Sequence, residues 1–236
     1  MTRRRWIADE VQGDHAALIS EHARHLAQVL RARVGEEFDI SLGAQVRRGK
    51  IIHISADRVE FELGEVVSQI DLTKMTVALS IFKFDRMEWA IEKCTELGVA
   101  QLVPMVAART EPHLAAAAIK RVERWRRIAR QAAEQSRRVS PPEIADPLRL
   151  KELLASPGES KIVLSETENE VMLRDAVRPR CPSLLLAVGP EGGWKQEELT
   201  AFHERGWVSA SLGSTILRVE TAAISAVAIA TSILEH

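Results

Sequence analysis

The stretch LLLAVGPEGG at residues 184–193 joins a short, fully apolar run to a loop that contains three glycines and a proline. An apolar run of this length, bounded by turn residues, predicts a strand buried on both faces, as in a parallel sheet. Glycine allows close approach of a ligand to the backbone because it has no Cβ atom. Ligands of open α/β sheets lie outside the carboxyl ends of strands, so this loop is a candidate binding loop. A simple tight turn explains the loop alone equally well.

The motifs that cradle nucleotide phosphates are absent from this loop, since neither GxxxxGK[ST] nor GxGxxG occurs there. A second segment, SLGSTILRVET at residues 211–221, leaves a predicted strand and enters a predicted final helix. Its apolar side chains and free backbone groups suit an adenine and a thioether held between strand ends. Core packing of a loop that carries one surface arginine is the alternative explanation for this segment.

Apolar strands alternate with helices from Thr76 onward, a pattern typical of an α/β domain with a mostly parallel sheet. Asp85 and Glu88 resemble a capping box at the start of one helix, and Gly98 and Gly206 end two helices. The predicted strands are 77–82, 102–106, 161–164, 184–188 and 208–211, and the predicted helices are 85–97, 119–135, 196–205 and 221–234.

The part of the chain before Thr76 has a different pattern. Residues 36–70 contain short β-rich runs separated by glycine and aspartate, which predicts a small antiparallel barrel. His15–Leu30 ahead of them reads as one helix. We therefore predict two domains, residues 1–72 and 73–236.

The composition is that of an ordinary globular protein, with 236 residues, 46% hydrophobic and 28% charged. A formal net charge of −1 excludes a globally basic nucleic-acid binder, so any RNA site requires local segregation of charge. Residues 109–138 show such segregation, with nine arginines and lysines against three glutamates. We predict that Val122, Trp125, Ile128 and Ala132 share the buried face of this helix. Phosphate contact by the exposed arginines is one explanation of the charge, and a solvated helix face is the other.

Other chemical signals are sparse. Cys94 and Cys181 are the only cysteines, and we expect both to be small hydrophobic residues without a disulfide. His22 and His25 have no acidic or thiol partner at a zinc spacing, so no metal is predicted. The first ten residues lack the apolar segment of a secretory signal, and residues 222–234 are shorter than the roughly 20 needed to cross a bilayer. We expect a cytoplasmic protein with no membrane association.

Several ordered motifs together closely resemble the bacterial 16S ribosomal RNA uridine N3-methyltransferase family of the SPOUT superfamily. The segments that carry this resemblance are 86–98, 132–136, 189–193 and 212–222, with 3–10 and 25–31 similar to the family's N-terminal domain. The resemblance implies an α/β fold, in which a small N-terminal β-barrel PUA-like domain precedes a C-terminal, trefoil-knotted SPOUT methyltransferase domain. It also implies S-adenosyl-L-methionine as cofactor, 16S ribosomal RNA or the small ribosomal subunit as partner, and a homodimer.

The resemblance also implies which residues form the site. The cofactor contacts carried over are Leu164, Ser165, Val188, Gly189, Pro190, Glu191, Gly192, Ser211, Leu212, Gly213, Ile216 and Leu217. We hypothesise that Arg218 stabilises negative charge on the carbonyl oxygens of uracil and that Glu191 or Glu220 assists proton removal. The residues predicted to contact RNA are Arg4, Arg5, Arg31, Arg86, Arg109 and Arg138.

Two positions depart from the family pattern. Thr215 stands where the family usually has an arginine, and Arg137 stands where it usually has a glycine. Two other functions remain open from the sequence. One is a 2′-O-ribose RNA methyltransferase of the same superfamily, and the other is a catalytically silent RNA-binding factor in ribosome assembly.

Overall fold

The computed structural model describes residues 5–43, 45–69 and 74–234. The chain divides into two compact units. The first unit contains the described residues before position 72 together with Ala133–Ser140, and the second unit contains the other described residues.

The first unit is a six-stranded sheet with the order β1-β4-β5-β6-β3-β2. Its strands are β1 Arg5–Ile7, β2 Glu10–Gln12, β3 His15–Ile19, β4 Glu37–Ser41, β5 Gln45–Ile54 and β6 Arg58–Gln69. All pairs are antiparallel except β1 with β4. The edge strands β1 and β2 are consecutive in the chain, so the sheet curls back on itself around the buried Leu18, Ile40 and Phe61.

The helix predicted for His15–Leu30 is wrong. The first five residues form β3, followed by a short helix α1 at Ser20–Arg24 and one π-helical turn at His25–Val29. β3 pairs with β2 through a hairpin at Gly13 and with β6 on its other side. Two ladders of hydrogen bonds and the burial of Leu18 outweigh the weak helix preference of this segment.

The second unit is built on a parallel sheet with the order β10-β8-β7-β12-β11-β13, in which β9 also pairs with β8. A 3₁₀ turn, Ile119–Arg121, precedes the fourth helix of the chain. The strands are β7 Lys74–Ser80, β8 Gln101–Val106, β9 Glu143–Ile144, β10 Leu148–Arg149, β11 Ser160–Leu164, β12 Ser183–Val188 and β13 Val208–Ala210. The helices are α2 Phe84–Glu96, α3 Pro112–Ala118, α4 Val122–Gln135, α5 Leu150–Leu154, α6 Leu173–Ala176, α7 Gln196–Glu204 and α8 Val219–Leu234.

The apolar run of β12 lies inside this sheet, between β7 and β11, and it is buried, as the pattern predicted. Leu184 and Leu186 pack with residues of α2 and α8 on one face. Leu185 packs on the other face with Phe202 of α7. Both faces are covered, which is why the strand shows continuous apolar residues instead of alternation.

The capping box predicted at Asp85 and Glu88 is wrong. Lys83 occupies the cap position of α2, and no side chain caps the helix there. The Glu88 carboxylate instead accepts two hydrogen bonds from the guanidinium of Arg124 in α4, at 2.6 and 2.8 Å. This ion pair also holds the pKa of Arg124 above its ordinary value.

Residues 133–140, which are the last turn of α4 and the segment after it, complete the first unit. The hydroxyl of Ser41 donates to the backbone carbonyl oxygen of Val139, and the guanidinium of Arg5 donates to the backbone carbonyl oxygen of Arg137. Arg137 adopts a left-handed conformation with φ +58°, which ends the helix. Glycine, which the family resemblance implies at this position, avoids the steric cost of a Cβ atom.

We expect Arg137→Gly to have a free energy of unfolding about 1 kcal/mol higher than that of Arg137→Ala, because only alanine keeps the cost of the left-handed conformation. Urea denaturation measures the difference. At the exposed Gln131, inside α4, the difference in stability between the two substitutions should reverse in sign, with the glycine variant about 1 kcal/mol less stable than the alanine variant. Equal stability of the two Arg137 variants would contradict this prediction.

Candidate functional site

A crevice lies at the carboxyl ends of β11, β12 and β13, where the three following loops meet. Its volume is about 710 Å³ including the open mouth. The residues that line it are Leu164, Ser165, Glu166, Thr167, Val188, Gly189, Pro190, Gly193, Trp194, Leu199, Ala210, Ser211, Leu212, Gly213, Thr215, Ile216, Leu217, Val219 and Ala222. Its position is the one at which open parallel sheets bind ligands.

The glycine loop, residues Gly189–Gly193, is held against the end of β11 by the side chain of Trp194. The indole Nε1 of Trp194 donates to the carbonyl oxygen of Leu164 at 2.8 Å. A Cβ atom at Gly189 would lie only 2.9 Å from this nitrogen. Glycine at position 189 therefore permits the indole to reach its acceptor.

The far end of the glycine loop is also closely packed. Gly193 has φ +71°, and a Cβ atom there would lie 2.6 Å from Oε1 of Glu166. The guanidinium of Arg109 donates to the carbonyl oxygens of Gly192 and Trp194. Arg109 thus stabilises the loop from outside the crevice.

Hydrogen bonds within the loop after β11 fix its shape. The Glu168 carboxylate accepts the backbone N–H groups of Glu170 and Val171 at 2.8 and 3.1 Å. These bonds hold the pKa of Glu168 below its ordinary value. The hydroxyls of Ser165 and Thr167 lie 2.9 Å apart at the crevice wall.

The loop after β13 is tied to the same part of the chain. The backbone N–H of Ser211 donates to the carbonyl of Val171, and that of Leu173 donates to Ser211. Residues 213–216 of this loop are exposed to solvent. Ile216 is 83% exposed although it borders the crevice. An isoleucine so exposed at the mouth is available to cover an apolar ligand.

Most of the cofactor residues carried over from the family meet in this crevice. All of them except Glu191 and Gly192 line it. Sequence reasoning missed Glu166 and Thr167, which directly follow the predicted strand end, and Trp194, which directly follows the glycine loop. Extending each candidate loop by two residues finds all three. No local signal points to Leu199 in α7, which reaches the crevice only through tertiary packing.

The three predicted catalytic residues lie around this crevice in different settings. Arg218 is exposed at the start of α8. Glu191 lies on the glycine loop, 3.3 Å from the guanidinium of Arg86. Glu220 is buried, and its carboxylate lies 3.7 Å from the same guanidinium.

The arginines predicted to contact RNA differ in exposure and in hydrogen-bond partners. Arg4 lies outside the described residues. Arg31 is exposed, whereas Arg5 and Arg109 donate to backbone carbonyls of the protein. Burial lowers the pKa of Arg138 to about 10, which leaves it charged at neutral pH.

The predicted buried face of α4 is confirmed, since Val122, Trp125 and Ala132 are buried and Ile128 packs against the same core. The surplus of positive charge in residues 109–138 is smaller in the folded structure than a count along the sequence indicates. Glu88 pairs with Arg124, as described above, and Asp146 pairs with Arg126 at 3.2 Å. Carboxylates outside the basic run therefore neutralise part of its charge.

Both cysteines are free and buried, as predicted, and burial raises the pKa of Cys94 to about 12. In the described ranges, no group of three or more histidine, cysteine, aspartate or glutamate side chains is placed to hold a metal. None of the helices described in this structure has both the length and the apolar character to cross a bilayer.

Comparison with known proteins identifies the family. A family model described as an RNA methyltransferase domain matches residues 69–231, and one described as an RNA methyltransferase PUA domain matches residues 20–64. Ribosomal RNA small subunit methyltransferase E of Mycobacterium bovis is 37% identical over 93% of this chain and 88% of its own length. That of Bacillus subtilis is 32% identical over 92% and 91%. The chain belongs to the ribosomal RNA small subunit methyltransferase E family. The family suggested by the sequence motifs is thereby confirmed.

Solved structures agree with this family and with its α/β fold carrying a PUA-like N-terminal domain. The ribosomal RNA small subunit methyltransferase E of Neisseria gonorrhoeae, bound to S-adenosyl methionine, has a TM-score of 0.85 at 29% identity, covering 99% of this chain and 98% of that one. A putative methyltransferase of Legionella pneumophila, in complex with the same cofactor, has a TM-score of 0.82 at 28% identity, covering 98% of each chain.

We expect Gly189→Ala to lower the free energy of unfolding by about 1–3 kcal/mol, because the new methyl group must displace the indole of Trp194. Gly158→Ala is the matched control, since its Cβ would meet Leu185 at an ordinary 3.4 Å. That variant should stay within about 0.5 kcal/mol of wild type. Urea denaturation compares the two, and equal losses of stability would contradict a specific clash at Gly189.

Proposed function

We propose that this protein transfers a methyl group from S-adenosyl-L-methionine to N3 of a specific uridine in 16S ribosomal RNA of the small ribosomal subunit. The observation that carries the proposal is similarity along nearly the whole chain to enzymes named ribosomal RNA small subunit methyltransferase E. The crevice at three strand ends supports it, because it is formed by the loops that the family motifs indicated.

The crevice suits S-adenosyl-L-methionine chemically. Its walls are formed by apolar side chains such as Val188, Leu212 and Leu217, with backbone groups of the glycine loop between them. These would hold an adenine and a thioether-like chain. The Glu166 carboxylate at the wall suits a ligand that carries a sulfonium and an ammonium group. The hydroxyls of Ser165 and Thr167 would accept or donate hydrogen bonds to its polar ends.

When bound, the cofactor supplies an electrophilic methyl group, and the protein's main task is then alignment, an effect worth up to roughly 7–11 kcal/mol. We assign Arg218 the stabilisation of negative charge that develops on the carbonyl oxygens of uracil. Glu191, on the glycine loop, assists removal of the N3 proton, a contribution of about 10²–10⁴-fold in rate, whereas the buried Glu220 does not line the crevice. Thr215 lines the crevice in place of the arginine usual in the family, so Arg218 acts without that neighbour.

RNA binding in this proposal uses local basic surface, since the protein as a whole is nearly neutral. Arg31 of the first unit and Arg127 of α4 are exposed. Arg4, Arg5, Arg109 and Arg138 complete the proposed set. The PUA-like match over residues 20–64 supports a role of the first unit in holding RNA.

We further propose a trefoil knot in the second unit and a cytoplasmic homodimer. After β13 the chain hydrogen-bonds to residues 171–173, which belong to the connection between β11 and β12, before it enters α8. This path favours threading of the chain through that connection. Residues 221–234 of α8 carry no charge, although Thr221, Ala228 and Ser232 are exposed. An uncharged exposed helix face favours contact with a second copy.

Calorimetry followed by mass spectrometry tests the proposed reaction. The folded protein should bind S-adenosyl-L-methionine and then add one methyl group to a uridine base of 16S ribosomal RNA, at N3. Free RNA and assembled small subunits are both offered as substrates. A methyl group on a ribose would favour a 2′-O-methyltransferase, and no cofactor binding by a folded sample would favour a silent assembly factor.

Arg218→Ala should lower the single-turnover rate of methyl transfer by about 10²–10³-fold at saturating cofactor, because a donor to the developing oxyanion is lost. Cofactor affinity should stay close to wild type, since Arg218 is not part of the crevice wall. Arg205→Ala, an exposed arginine after α7, is the control and should retain the wild-type rate. A wild-type rate for Arg218→Ala would eliminate the role assigned to Arg218.

A further inference from the structure

Arg86 lies in the first turn of α2, and its guanidinium faces carboxylates from two different loops. Nη1 is 3.3 Å from Oε1 of Glu191 on the glycine loop. Nε is 3.7 Å from Oε1 of Glu220 in the first turn of α8. One cation therefore connects the glycine loop to the start of the last helix, and both of these border the crevice.

Glu220 depends strongly on this cation. The residue is 5% exposed, and its Oε2 atom has no hydrogen-bond partner in the part of the chain that the structure describes. Arg86 is the one cation found within 4 Å of it among the described residues. A buried carboxylate is strongly disfavoured without a compensating charge, so removal of the guanidinium would leave Glu220 uncompensated.

The carboxylate of Glu220 is directed at α2 instead of the crevice. Val219 and Ala222 of the same helical turn line the crevice, whereas Glu220 does not. With 3.6 residues per turn, a side chain at position 220 lies on a different face from those two. Its contact with Arg86 of α2 agrees with this direction.

We infer that Arg86 is a positioning residue, which fixes the glycine loop against the start of α8 by holding Glu191 and Glu220 together. The inference rests on the proposed methyl transfer for its kinetic readout. It differs from the RNA contact predicted for Arg86 from the sequence, because two carboxylates within 4 Å of Nη1 and Nε offset the charge that would attract a phosphate. A misplacement of about 1 Å in an active site costs about 10²-fold in rate, so such a tie matters for transfer.

Arg86→Gln should lower the single-turnover rate about tenfold to a hundredfold at saturating RNA and cofactor, with RNA affinity and its salt dependence unchanged. Arg86→Lys keeps the charge but has no planar fork, so it should recover only part of the rate. Arg174→Gln, an exposed arginine on α6, controls for loss of one positive charge and should be as active as wild type. A wild-type rate would overturn the inference if RNA binding were weaker and the slope of log affinity against log salt concentration were smaller by about one, because these effects identify a phosphate contact.

A double-variant cycle on urea unfolding tests the same contact without any activity. Arg86→Gln should lower the urea midpoint, and adding Glu220→Gln to it should raise the midpoint again, because the uncompensated carboxylate is gone. Additive effects of the two substitutions would overturn the inference. If the cycle shows coupling while the wild type methylates no uridine, the proposed reaction fails and the ion-pair arrangement stands. An additive cycle in an active enzyme rejects the role of Arg86 alone.

Discussion

The hydrogen bond from Trp194 to the carbonyl oxygen of Leu164 joins the end of the glycine loop to the carboxyl end of β11, and both residues line the crevice. The indole packs edge-on against Phe202 of α7, with ring centres 5.0 Å apart, and Phe202 packs in the same way against Trp207. This aromatic column anchors the glycine loop to the buried face of the sheet. A ligand therefore meets one wall set by core packing, while the mouth near Ile216 remains open.

Arginines near the crevice show why net charge says little about function in this protein. Arg109 supports the glycine loop through backbone carbonyls, and Arg86 joins two carboxylates. Arg124 is paired with Glu88 across two helices. Such arginines contribute geometry more than long-range potential, because their charge is offset within a few ångströms. The exposed Arg31 and Arg218 are better placed to meet a polyanion.

The longer strands and helices of the second unit could be predicted in the right order, because each of them carries its own periodicity. The short elements β9, β10, α3, α5 and α6 were not predicted. The apolar run of β12 and the helix ending at Gly98 are local signals, and the structure has both within about two residues of the predicted bounds. The same reasoning failed at His15–Leu30, where a strand between two partners begins the segment. Alanine and leucine there satisfy either pattern, so only the pairing of distant strands decides between them.

The site shows the same division between local and distant signals. Strand ends and glycines indicated the loops after β12 and β13, and the family resemblance supplied the remaining crevice residues, whereas the roles of the charged residues depend on partners far along the chain. Glu88 has the spacing of a capping residue, but it pairs with Arg124. Arg86 was predicted from the sequence to contact RNA, but it pairs with Glu191 and Glu220. Carboxylates and guanidinium groups form ion pairs with the oppositely charged groups that lie nearest to them in the folded protein. Their chemistry is therefore fixed only when the three loops of the crevice come together, and a residue type alone does not determine it.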